Sequence, residues 1–390
     1  MKNIAVLGST GSIGVAALDV IKGLGAGYRV VGLSTHSNAG LLLSQARRFR
    51  PRWVSVFDEQ AALSLRGKLP RGTALLAPGV ESLMEMAAHP DTNLVVSGLS
   101  GGVGFGPLVA AVKAGKTIAL ANKEPLVMAG RTLMAECRRW NSSILPVDSE
   151  ASAVFQSLDR ANASRISRVL LTASGGPFLN YKGKLDKVTP AQALRHPRWK
   201  MGPKITVDSA TLMNKGFEAI EISEFFGLPL DKIQIAIHPQ SVLHSAVEYA
   251  DGAVLAQLSV PDMRLPIQYA ITYPERRPSP VAPLGFGDLR LDFAKPDFKR
   301  FPCLELALEA ARAGGTAPAA LSGADEAAVQ AFLEGRTGFT GIARVVEAVL
   351  ARHKGASTPP SLAAAVEAEQ WGRETAQGLL ASSKFALKAR

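Results

Sequence analysis

Six short β-branched runs, at residues 4–7, 29–33, 53–57, 93–96, 117–119 and 143–145, alternate with stretches of helical period across residues 1–147. The intervening stretches are 13–24, 39–49, 80–88, 108–114 and 126–140. Strands separated by whole helices cannot pair through tight hairpins, so each must return parallel to its neighbours by a crossover. The rhythm predicts an α/β fold whose first domain is Rossmann-like, a mainly parallel sheet covered by helices on both faces.

The first crossover carries Gly8-Ser9-Thr10-Gly11-Ser12-Ile13-Gly14, glycines spaced G-x-x-G-x-x-G between a strand and a helix. Glycines let the backbone approach a pyrophosphate, and the helix N-terminus offers N–H groups and the positive end of its dipole. Gly8 and Gly11 are therefore candidate cofactor contacts. The second strand ends in Leu33-Ser34-Thr35-His36-Ser37-Asn38. A carboxylate at that point would grip a ribose 2′-hydroxyl. None is present, and hydroxyl, imidazole and amide groups stand instead, so Ser37 and Asn38 join the candidates and NADP is favoured over NAD.

Residues 148–273 mix longer strands (168–172, 233–237 and 254–258) with a largely helical 209–226, which predicts a central α+β domain. Four prolines between Pro274 and Pro283 open a Pro-rich linker, 274–299. Residues 300–390 are Ala-rich, with helices expected at 304–313, 324–334, 341–353 and 362–380. They predict a four-helix bundle with a structural role, its charges spaced like solvated helix faces.

No apolar run approaches the roughly 18 residues of a membrane span, and Met1 leads almost directly into the first strand. The expectation is a cytoplasmic protein without a membrane partner. Cys137 and Cys303, the only two cysteines, read as buried thiols. The net charge of +11 includes no run of five basic residues, and aromatics make up only 6%. That pattern argues against nucleic acid and slightly for small anionic ligands.

Asp148-Ser149-Glu150 follows the last strand of the first domain, at the sheet edge where open α/β folds bind ligands. If the backbone stays extended, both carboxylates face the same side; the competing reading is a turn that caps the next helix. With Glu218 they make an oxygen-donor set suited to Mg2+ or Mn2+. Residues 196–221 pack hydroxyls, amide and ammonium donors and carboxylates onto an apolar frame, the composition of a ligand pocket. On a helix Asn214, Lys215 and Glu218 are neighbours, and Ser209, Asn214 and Lys215 are phosphate donors. Ser174 lies in the Gly-rich turn Ser174-Gly175-Gly176 after a strand, and the loop from His196 through Trp199 to Gly202 suits a lid over a ligand.

Together GSTGSIG (8–14), LANKE (120–124), PVDSE (146–150), LTASGGPF (171–178), residues 196–221, HPQSVLHS (238–245) and PDMRLPIQYA (261–270) closely resemble the 1-deoxy-D-xylulose 5-phosphate reductoisomerase family. The resemblance implies an NADPH- and divalent-metal-dependent homodimer of the non-mevalonate isoprenoid pathway. Its substrate would be a small phosphorylated sugar, rearranged and then reduced to 2-C-methyl-D-erythritol 4-phosphate. Motif by motif, it implies that Asp148, Glu150 and Glu218 bind the metal. Lys123, Ser149, Glu150, Ser174, His196, Ser209, Asn214, Lys215 and Glu218 would meet substrate, with Trp199 and Met201 on the closing loop. Thr10 to Ile13, Asn38, Asn122, Glu124 and Gly202 would meet the cofactor. Lys123, Glu150, His196 and His244 would be catalytic.

Two positions depart from the family pattern. Ala151 stands where a His usually follows D-S-E, and His36-Ser37 replaces a Gly followed by a basic residue. From the residues alone two alternatives remain. One is a metal-dependent NADP oxidoreductase of another phosphorylated keto-sugar or semialdehyde; the other is a non-catalytic nucleotide- or nucleic-acid-binding protein.

Overall fold

The computed structural model describes residues 1–355 and 359–382; the last stretch of the 300–390 segment lies outside the described residues. The chain divides into two compact units. The first comprises residues 1–122, 133–152 and 262–283. Its strands are β1 (Lys2–Leu7), β2 (Tyr28–Thr35), β3 (Trp53–Val56), β4 (Ala74–Leu75), β5 (Leu94–Ser97), β6 (Thr117–Leu120) and β7 (Ser143–Pro146). All pair in parallel, in the order β4-β3-β2-β1-β5-β6-β7.

The order reverses between β1 and β5, so a crevice opens at their carboxyl ends. Ile4, Ala5, Val6 and Leu7 of β1 are all buried, as a strand covered on both faces requires. The cover consists of α1 (Ser12–Leu24), α2 (Ala39–Phe49), α3 (Glu59–Leu63), α4 (Val80–Ala88), α5 (Phe105–Lys113) and the later part of α6 (Glu124–Arg139). A further helix, α11 (Arg264–Thr272), returns from far along the chain to pack on α1, β6 and β7 through Ile267, Ala270 and Ile271. Each expected strand and helix of this region is present. The sequence pattern does not reveal β4 and α3, because two and five residues are too short to show a period.

The second unit comprises residues 123–132, 153–261 and 284 onward. Its sheet contains β8 (Ile166–Ala173), β9 (Ile233–Ile237), β10 (Leu243–Tyr249) and β11 (Val254–Leu258), in the order β11-β10-β8-β9. β8 and β9 run parallel, while β10 is antiparallel to both its neighbours. β10 escapes a sequence reading because almost every residue is buried and no polar alternation marks it.

Before this sheet comes α7 (Ser149–Ser157), which the two units share, and within the second unit lie α8 (Pro190–Ala193), α9 (Pro203–Thr211) and α10 (Met213–Phe226). The expected single helix over 209–226 is thus two helices. Leu212 breaks it with a φ of +63°, a conformation costly for a residue with a side chain. The bundle follows as α12 (Pro302–Ala313), α13 (Ala317–Leu333), α14 (Phe339–Leu350) and α15 (Leu362–Leu380). α12 packs on α10 so closely that a Cβ on Gly216 would lie 2.3 Å from that of Ala307.

Candidate active site

In the first unit the turn after β1 is held from beneath. Ser9 is fully buried, and its N–H donates to the Ser34 carbonyl (2.7 Å) while its hydroxyl donates to Gln45 Oε1 (2.7 Å). Gln45 Nε2 donates back to the Ser9 carbonyl at 2.7 Å, closing a two-bond ring between the turn and α2. Thr10 and Thr35 share a hydrogen bond of 2.6 Å between their hydroxyls.

The three glycines serve different ends. Gly8 has φ +78°, and a Cβ there would lie 2.7 Å from the Gly98 carbonyl oxygen. A Cβ on Gly14 would lie 2.3 Å from the Gly8 carbonyl oxygen. Gly11 meets nothing closer than 3.5 Å, so its side stands open to a ligand. Ser12 and Ile13 open α1, whose first turn holds no acidic residue, and their N–H groups present a positive helix end. Asn38 caps α2 by accepting from the Leu41 N–H at 3.1 Å, and the exposed His36 stacks on Phe57 with ring centroids 5.1 Å apart. Ser37 lies exposed between them.

Asn122, after β6, accepts from the Ser97 hydroxyl at 2.9 Å and leaves its buried Nδ2 without a partner among the described residues. That orphan amide donor is suited to a ligand acceptor. At the end of β7 the backbone does not stay extended through 148–150. Ser149 begins α7, and the Glu150 N–H donates to Asp148 Oδ1 at 3.3 Å. The helix cap prevails over the alternation reading because Asp148 satisfies an N–H that a helix start leaves unpaired. The Ser149 hydroxyl donates to Glu150.

In the second unit Lys123 Nζ donates to Asn214 Oδ1 (2.8 Å) and to Glu218 Oε1 (2.9 Å). Lys215 Nζ and Asn214 Nδ2 also donate to the Glu218 carboxylate. Glu218 is only 1% exposed and Lys123 and Lys215 are 4% exposed each, so this set of charges is buried. The break at Leu212 turns the chain so that Ser209 ends α9 while Asn214 and Lys215 begin α10, at its positive end. Ser174 follows β8. A Cβ on Gly176 would lie 2.6 Å from the Ser209 carbonyl oxygen, so glycine alone lets that turn close on α9.

His196 Nδ1 accepts from the N–H groups of Arg198 (3.2 Å) and Trp199 (2.9 Å), which leaves Nε2 as the protonated nitrogen 3.1 Å from the Ser174 hydroxyl. Burial lowers the His196 pKa to about 4. A neutral imidazole donating from Nε2 is the result. Trp199 reaches His244, with ring centroids 6.2 Å apart. His244 is the second residue of β10, which runs antiparallel to β8, so it arrives at the end of the sheet where Ser174 lies. Met201 and Gly202 complete the loop; Gly202 is the N-cap residue of α9, and its carbonyl accepts from the Thr206 hydroxyl at 2.7 Å. His238 is structural: its Nδ1 donates to the Asp292 carbonyl and its Nε2 accepts from the Val242 and Leu243 N–H groups.

Two features escaped the sequence reading. Gln45 looks like any helix-face residue until the fold brings it under Ser9. Asp325 of α13 is not on a solvated face: it is 0% exposed and lies 2.9 Å from Lys204 Nζ. Its apolar surroundings on α13 were the only signal in the sequence. Glu124, at the start of α6, lies 3.6 Å from the same ammonium.

Three family models match successive parts of the chain. Their descriptions are 1-deoxy-D-xylulose 5-phosphate reductoisomerase over residues 4–130, its C-terminal domain over 144–226, and the DXP reductoisomerase C-terminal domain over 258–375. The 1-deoxy-D-xylulose 5-phosphate reductoisomerase of Elusimicrobium minutum is 56% identical over 390 residues, covering 99% of each chain. The chain belongs to the 1-deoxy-D-xylulose 5-phosphate reductoisomerase family. The reductoisomerase of Anaeromyxobacter sp. strain K is 51% identical over 97% of both chains.

Solved reductoisomerase structures agree. The Zymomonas mobilis enzyme in complex with NADPH matches with a TM-score of 0.89 and 39% identity, over 98% of this chain and 99% of that one. A reductoisomerase in complex with NADPH, fosmidomycin and magnesium matches with a TM-score of 0.91 and 38% identity, over 97% and 98%. Among the described residues no helix is long and apolar enough to cross a membrane.

Proposed function

We infer that the protein is an NADPH- and divalent-metal-dependent reductoisomerase that rearranges 1-deoxy-D-xylulose 5-phosphate and reduces the product to 2-C-methyl-D-erythritol 4-phosphate. The observation that carries this reading is the largely buried set of Lys123, Asn214, Lys215 and Glu218, joined by hydrogen bonds about the first two turns of α10. Ammonium and amide donors gathered at a helix N-terminus favour a phosphorylated ligand. The relatives in complex with NADPH and magnesium support the cofactors.

For the metal, the donor chemistry fits a hard divalent cation. Asp148 and Glu150 offer carboxylate oxygens within one helical turn, and Glu218 supplies a third carboxylate, so we assign these three as ligands of Mg2+ or Mn2+. For NADPH, the open face at Gly11, the N–H groups of Ser12 and Ile13, and the orphan Asn122 amide fit a dinucleotide. When bound, NADPH supplies the hydride and the cation acts as a Lewis acid on substrate oxygens.

The chain's own residues do the rest. Ser174, Ser209, Asn214, Lys215 and the neutral His196 donate to the phosphate, and that binding energy orients the reacting carbons. Lys123 holds a proton next to Asn214 and Glu218, and Glu150 with Ser149 accepts and returns protons during carbon–carbon cleavage and re-formation. Trp199, Met201 and His244 exclude water when the loop is over the substrate. A cytoplasmic homodimer belongs to the same proposal, and light scattering tests its size.

The deciding assay follows NADPH oxidation with 1-deoxy-D-xylulose 5-phosphate and Mg2+ or Mn2+, repeated with EDTA and with NADH. Turnover that EDTA abolishes and added metal restores is expected. Absence of turnover with this substrate refutes the reading.

A further inference from the structure

A buried ionic cluster lies in the second unit, and its central members, Lys204, Asp208 and Asp325, have no role in the mechanism above. Lys204, in the first turn of α9, places its ammonium 2.7 Å from Asp208 and 2.9 Å from Asp325, with Glu124 at 3.6 Å. The ammonium also sits over the Phe217 ring, 4.8 Å from its centroid. The remaining titratable group facing the cluster is Cys303 of α12, whose thiol burial pushes up.

Three features set this cluster apart from an ordinary ion pair. One ammonium faces three carboxylates, of which Asp208 and Asp325 are 2% and 0% exposed. Asp208 Oδ1 and Asp325 Oδ1 are buried without a hydrogen-bond partner in the described structure, while Asp325 Oδ2 is paired with the Lys204 ammonium. Three of the segments that the cluster joins carry a proposed active-site residue next in sequence: Lys123 beside Glu124, Ser209 beside Asp208, and Glu218 beside Phe217.

Buried acceptors without donors are costly, and neighbouring buried carboxylates disfavour one another's ionised form. A single proton resolves both problems, since a protonated carboxyl becomes a donor to its neighbour. We propose that Asp208 and Asp325 share one proton, and that Asp325 is thereby a positioning residue which locks Lys204 and, through it, the phosphate-binding end of α9 and the start of α10. The electrostatics agree with the geometry: burial, reinforced by the neighbouring carboxylate, pushes Asp208 well above the ordinary range, and burial raises Asp325. Burial opposes the Lys204 ammonium, but Asp208, Asp325 and Glu124 outweigh it and keep it charged. The bundle thus contributes one buried acid to the working of a site whose other residues lie outside it.

This inference rests on the function proposed above. Its test compares full-length Asp325→Asn and Asp325→Leu with the wild type, loaded with metal and NADPH. An amide keeps the donor that the shared proton provides, so Asp325→Asn should hold kcat within about threefold, whereas Asp325→Leu should lose at least about tenfold, as misplaced groups do. Infrared difference spectroscopy at neutral pH should find a protonated carboxyl band in the wild type that disappears in Asp208→Asn. A missing band, an unimpaired Asp325→Leu, or an Asp325→Asn as damaged as a folded Asp325→Leu overturns the proposal. If Asp325→Leu does not fold, the amide variant and the band decide. If the wild type does not turn over 1-deoxy-D-xylulose 5-phosphate, the functional reading fails, while the band still tests the shared proton.

Discussion

Replacing Gln45 by Leu isolates how the turn after β1 is made ready for its cofactor. The side chain is 7% exposed and engages Ser9 through two hydrogen bonds of 2.7 Å. Leucine fills a similar volume but returns neither bond. The Ser9 hydroxyl keeps its contact with the Ser34 carbonyl at 3.1 Å, so the loss falls on the Ser9 carbonyl. An orphaned buried acceptor costs about 1–3 kcal/mol. If the free turn relaxes to let water reach that carbonyl, cofactor binding must reverse the relaxation. At 1.4 kcal/mol per tenfold, NADPH affinity then falls by about fivefold to a hundredfold. Fluorescence titration gives the affinity and thermal melting gives the stability, while kcat at saturating NADPH should not change. An affinity within twofold of the wild type would refute the reasoning, because the ring would then support α2 and not the turn.

The glycines of that turn should separate by cause. Gly14→Ala forces a Cβ against backbone atoms and should lower the melting temperature, whereas Gly11→Ala should melt like the wild type and still bind NADPH more weakly. His196 has a folded pKa of about 4, below the roughly 6.5 of the unfolded chain. The unfolded state therefore takes up the proton first, and the loop's stability is full above that range and declines as pH falls from about 6.5 toward 4. Faster amide exchange at Arg198 and Trp199 over that window, relative to neighbouring amides, checks this. Lys215→Met removes an ammonium from the phosphate set and should lower kcat/KM on the order of a hundredfold, with NADPH affinity unchanged.

The first sheet is legible because each strand is a buried run bounded by turn residues, and a parallel sheet repeats that signal. β10 is not legible: with both faces buried it shows no alternation. The break at Leu212 is equally silent in the residues, since nothing about leucine announces a positive φ; packing around α9 and α10 imposes it. The set Asn214, Lys215 and Glu218 is legible from helical spacing, but Lys123 joins it from more than ninety positions away and needs the fold. Asp325 misleads for a physical reason. Charged residues on Ala-rich helices are usually solvated, and only its tertiary partner, Lys204, makes its burial tolerable.

The return of α11 to the first sheet has a consequence for biosynthesis. Residues 262–283 belong to the first unit, and Ile267, Ala270 and Ile271 bury against elements made from the beginning of the chain. On a ribosome, the N-terminal sheet must therefore wait, with one apolar surface uncovered, until more than two-thirds of the polypeptide has emerged. A fragment ending after β7 would carry the same exposed surface permanently. The cell's chaperones should engage the nascent chain during that interval, and ribosome-bound chains stalled before and after residue 283 should differ sharply in protease resistance.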